Sequence, residues 1–103
     1  MERTGKTFII VTNDGPEREN VYISWNADKG YYTTVEWIDE IGSLDFLDTV
    51  GKALDRAEEV NSSTLGGWNW APMQVVELLN FNEAYNNKAD PEFKKIVTIT
   101  YTK

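Results

Sequence analysis

The sequence predicts an α+β fold: an antiparallel sheet of about five strands with one amphipathic helix across a face, ordered β-β-β-α-β-β. Three observations carry this. Short segments rich in β-branched and aromatic residues recur along the chain, separated by turn-forming residues. One segment has helical apolar spacing, with Val50, Ala53, Leu54, Ala57 and Val60 at i, i+3, i+4, i+7 and i+10. The chain has 103 residues and 41% hydrophobic residues, enough for one core and one domain over 1–103.

Residues 7–12 read as the first strand and Asn13-Asp14-Gly15-Pro16 as the turn that ends it. Val21, Ile23 and Trp25 alternate with Tyr22 and Ser24, giving a second strand with one apolar face. Residues 26–30 form a hairpin loop closed by Gly30, and residues 31–37 return as a third strand. Tyr31 and Tyr32 are consecutive, so they point to opposite faces.

Ile38, Ile41, Leu44 and Leu47 are spaced by three, which fits a short helical turn. Asp48 or Thr49 then serves as the N-cap of the helix over 50–60. Residues 64–71 form a loop. Met73 to Leu79 reads as a strand, apolar on both faces except at Gln74 and Glu77, and therefore inside the sheet; a helix starting at Pro72 is the rival. Residues 81–91 read as a long polar hairpin connection, and 95–102 as the last strand.

Composition removes many chemistries. The chain has no histidine and no cysteine, so disulfides, thiolates and the usual zinc, copper and haem ligands are missing. The commonest general base near neutral pH is missing too. Serine–histidine and cysteine–histidine catalysis have no residues to use. The calcium-loop spacing is absent, although Asp39, Glu40 and Asp45 could be gathered by folding. The expectation is a protein that is not an enzyme and takes no cofactor or metal. No stretch reaches the ~20 apolar residues of a membrane span, and no signal-peptide pattern follows Met1, so a cytoplasmic protein is expected.

The net charge of −7 disfavours direct binding to nucleic acid or an anionic membrane and favours a basic partner. Its distribution is uneven. Residues 36–59 hold eight acids (Glu36, Asp39, Glu40, Asp45, Asp48, Asp55, Glu58, Glu59) against Lys52 and Arg56, a net −6. Glu58 and Glu59 stand in the last helical turn, where the helix dipole disfavours acids by ~0.3–1 kcal/mol each. Asp55 and Glu59 are a like-charge i,i+4 pair. Either this is an ordinary solvated face or it is an acidic docking surface.

Leu65-Gly66-Gly67-Trp68-Asn69-Trp70 is the second candidate feature. Trp68 and Trp70 either offer an aromatic contact surface or fold back to cap the sheet.

The order Tyr31-Tyr32…Trp37…Phe46-x-x-Thr49-x-x-x-Ala53-Leu54…Val75-Val76-Glu77 resembles small accessory proteins of phages and prophages over roughly residues 20–79. Two residues separate Phe46 from Thr49 where that pattern has one, and Lys52 stands where an acid is common. The resemblance implies an inhibitor of a bacterial defence complex, of the anti-CRISPR or anti-restriction kind, acting in the host cytoplasm. Some such proteins mimic DNA by placing carboxylates where a nuclease expects phosphates. The partner would then be a basic nuclease or nucleic-acid-binding effector. The alternative is a structural or protein-interaction module, a homodimer for example, without a defence target.

Overall fold

The computed structural model describes residues 5–12, 21–62 and 73–99. The elements run β1 (Phe8–Thr12), β2 (Val21–Asn26), β3 (Tyr31–Val35), two 3-10 turns (Ile38–Glu40 and Ser43–Asp45), α1 (Val50–Ser62), β4 (Met73–Leu78), α2 (Phe81–Asn86) and β5 (Phe93–Ile99). The five strands form one antiparallel sheet in the order β3-β2-β1-β4-β5. This is the predicted α+β class.

Local chemistry explains most elements. At the β2–β3 hairpin, Asn26 accepts the Gly30 N–H at its carbonyl (2.8 Å) and the Lys29 N–H at its side chain (3.1 Å). Gly30 takes φ +75°, a conformation that penalises a side chain. Thr49 is the α1 N-cap, its hydroxyl accepting the Lys52 N–H at 3.1 Å. β4 is paired on both sides, by β1 and β5, which accounts for its apolar character and rules out the helix starting at Pro72.

The two sheet faces are covered differently. α1 lies on one, through Ala53, Ala57 and Val60, against Phe8, Ile10, Ile23, Tyr32, Met73 and Val75. The alanines let the helix approach closely. On the other face Ile9, Val11, Tyr22, Val76 and Leu78 pack under Ile38, Ile41, Phe46, Phe81 and Ala84. Phe46 meets Phe81 edge-on at 4.9 Å, and Phe81 stacks on Tyr85 at 5.3 Å.

Two details correct the sequence reading, and β5 adds an irregularity. Residues 81–91 are not only a loop, because they contain α2. Phe81, Ala84 and Tyr85 have helical spacing, but three asparagines (Asn82, Asn86, Asn87) are poor helix formers and masked it. Packing supplies what propensity lacks. The single turn expected over 38–48 is two 3-10 turns, in which i and i+3 side chains eclipse; Ile38, Ile41 and Leu47 are buried, whereas Leu44 is 76% exposed. In β5 the pairing skips Ile96, since Val75 faces Val97 and Val76 faces Lys95. This bulge sends Ile96 to the same α1-side cluster as Ile99.

β1 and β2 pair only at Val11–Tyr22 and Thr12–Val21, and then separate. The segment before α1 enters the gap. Phe8 and Leu47 exchange backbone hydrogen bonds of 2.7 and 2.9 Å. On the β2 side, Trp25 N–H donates to Asp45 Oδ2 at 2.8 Å, and Gly42 N–H donates to Ser24 Oγ at 2.9 Å. Among the described residues, no helix is long and apolar enough to cross a membrane.

Candidate functional site

The acidic segment folds into parts with separate tasks. Asp45 is buried (5% exposed) and its carboxylate is fully engaged. One oxygen takes the Trp25 N–H and the other the Arg56 guanidinium. Asp45 therefore holds the fold together and drops out of the surface set predicted for docking. Glu40 caps its own 3-10 turn by accepting the Trp37 N–H at 3.1 Å. Asp39 lies 4.0 Å from Lys88, and Asp48 pairs with Lys52 at 3.0 Å. Asp39, Glu40 and Asp45 thus point to different partners and do not converge. Glu36 is exposed just after β3.

The remaining acids share α1. Its inner face is buried through Ala53, Ala57 and Val60, so Asp55, Glu58 and Glu59 stand exposed on the solvent side. Arg56 is turned inward, while Lys52, the other base of α1, stands exposed and pairs with Asp48. Arg56 reaches Asp45, donates to the Leu44 carbonyl at 3.1 Å, and contacts Glu59 through Nε at 3.2 Å. Its charge is therefore largely matched inside the fold. Asp55 and Glu58 make no hydrogen bond or ion pair among the described residues. The outer surface of the helix is negative through its last turn, where the dipole is negative as well.

At the rim of this face lies a cleft of about 230 Å³ lined by Trp25, Tyr32, Leu44, Arg56 and Glu59. The register of β2 and β3 places Trp25 opposite Tyr32, and their rings meet edge-on at 4.9 Å. Tyr32 is buried and its hydroxyl donates to Glu59 Oε2 at 3.0 Å. Burial, and then this hydrogen bond, push the Tyr32 hydroxyl up to about 12. Trp25 is 42% exposed and Leu44 more so, giving an apolar step beside the carboxylates.

Trp68 and Trp70 lie outside the described residues. Trp25 and Leu44 are exposed apolar residues beside this face, and sequence reasoning passed over both. Trp25 looked like one more member of an alternating strand, and Leu44 like one more member of an i+3 series. Neither pattern reveals which position a neighbouring element leaves uncovered. The arrangement supplies what recognition needs: a rigid negative surface with an aromatic contact at its edge. Comparison with protein-family models, with curated proteins and with solved structures returns no match.

Proposed function

We propose that this chain is a non-enzymatic binding protein that docks the acidic face of α1 on a basic protein surface. In this reading it is an inhibitor of the anti-CRISPR kind. It acts in the bacterial cytoplasm by occupying the basic channel of a nucleic-acid-targeting defence complex. The observation behind the proposal is the trio Asp55, Glu58 and Glu59. All three are exposed; Glu59 stands in the last turn of α1, where the dipole disfavours an acid, and Asp55 and Glu59 are a like-charge i,i+4 pair. A fixed helix presents the charges without ordering cost, and a basic groove gains steering and counterion release from them. Trp25 and Leu44 would add apolar contact at the rim. The resemblance to phage accessory proteins points the same way.

The test is a phage-plating assay in hosts carrying nucleic-acid-targeting defence systems. The chain is expected to restore plating against one such system, and Asp55→Lys/Glu58→Lys/Glu59→Lys to abolish that rescue. The purified complex should lose affinity as salt rises. Rescue that survives the triple reversal, or absence of rescue in every system, would sink the proposal.

A further inference from the structure

We propose that β3 is the interface of a two-fold homodimer, in which two copies join edge to edge through antiparallel β3–β3 pairing. This inference is independent of the acidic face of α1. The two edges of the sheet differ. β5 carries Lys94 and Lys95 and is irregular at its bulge, both of which discourage strand addition. β3 reads Tyr-Tyr-Thr-Thr-Val, with no charge, proline or bulge. Among the described residues nothing pairs with its outer edge.

The hydrogen bonds identify which β3 groups face outward. Trp25 directs its N–H away from β3, since it donates to Asp45. Backbone groups alternate sides along a strand, so Tyr22, Ser24 and Asn26 bond to β3. Their partners Val35, Thr33 and Tyr31 therefore face β2. Tyr32 and Thr34 are left with their N–H and C=O groups pointing outward.

That pattern is self-complementary about Thr33. With the two-fold axis at Thr33, Tyr32 of each copy exchanges hydrogen bonds with Thr34 of the other. Tyr31 then lies opposite Val35, an aromatic–β-branched pair that favours strand pairing. Charge is compatible as well, because the five residues of β3 carry none. A second copy meets every one of these requirements without any further partner chemistry.

The chain has no cysteine, so a single introduced thiol reports the register directly. Facing residues at the axis form a non-hydrogen-bonded pair with Cα atoms about 4.5 Å apart, within the disulfide range of about 4.4–6.8 Å. Thr33→Cys is expected to form an intermolecular disulfide under mild oxidation at least tenfold faster than Thr98→Cys on β5. Light scattering of the unmodified chain should give twice 11.8 kDa. Thr34→Pro removes only an outward donor and should give a folded monomer by circular dichroism. A monomeric mass for the unmodified chain, or equal cross-linking at Thr33→Cys and Thr98→Cys, would overturn the proposal. Should Thr34→Pro fail to fold, the mass and the two cross-linking rates still decide.

Discussion

Asp45 accepts the backbone N–H of Trp25 at 2.8 Å across 20 residues of sequence, so a side-chain carboxylate stands where a neighbouring strand would offer a carbonyl. The same carboxylate holds Arg56 of α1. One residue thus fills the β2 side of the gap between β1 and β2, fastens the helix to the sheet, and turns Arg56 inward. The outer charge of α1 depends on this inward contact.

Removing Asp45 should be costly. Asp45→Ala leaves the Trp25 N–H without its acceptor and takes the buried carboxylate from Arg56, which keeps only the Leu44 carbonyl and Glu59; breaking such a pair typically costs about 3–5 kcal/mol. Against a total of about 5–15 kcal/mol that is a large share. Asp45→Asn keeps an acceptor for Trp25 and should lose less. Urea denaturation of the two variants checks the order.

The α1 cap should be worth about 1 kcal/mol. Thr49→Ala removes the acceptor of the Lys52 N–H and should lower the unfolding midpoint accordingly, while Thr49→Ser keeps it.

Stability and docking should separate at Glu58. Glu58→Lys removes an acid one turn from the negative end of α1 and sets a cation three residues after Asp55, which should stabilise the free protein by about 0.2–0.5 kcal/mol. The same change should weaken binding to a basic partner. Thermal unfolding and an affinity measurement on one variant test both halves.

Tyr32 should make the fold alkali-sensitive. Burial and the Glu59 hydrogen bond raise its hydroxyl from 10.0 to about 12, so it ionises later in the folded than in the unfolded chain. Stability is fully present below the unfolded value and is lost as pH rises through the folded one. Burial raises Tyr22 too, with the same sign. Tyr32→Phe should therefore reduce the loss of stability between about pH 10 and 12. Glu59→Gln keeps an acceptor but removes the charge, and should lower the Tyr32 value. Spectrophotometric titration reads both effects.

The α2 layer should depend on one ring. Phe81 is buried, edge-on to Phe46 and stacked on Tyr85. Phe81→Ala should cost about 3–5 kcal/mol. Hydrogen exchange should show the amides of residues 81–86 opening before those of β1 and β4.

The sequence alone determined what depends on near neighbours. The i, i+3, i+4 series of α1, the Thr49 cap and the two-sided apolar character of β4 are local patterns, and each leads to the element observed; alternation in residues 21–25 leads to β2 but not to a single apolar face, because Tyr22 and Ser24 are buried as well and Trp25 is exposed. The uneven charge was legible as well. Only the tertiary structure decided which acids face water, because Asp45 and Asp48 look alike in the chain, and contacts with Trp25 and Arg56 draw one inside. It also decided that a polar, asparagine-rich connection becomes α2, since burial of Phe81 against Phe46 outweighs weak propensity. The exposure of Trp25 and Leu44, and the edge position of β3 among the described residues, follow from strand order and layer coverage. Those are set by contacts between residues far apart in sequence, which no local period encodes.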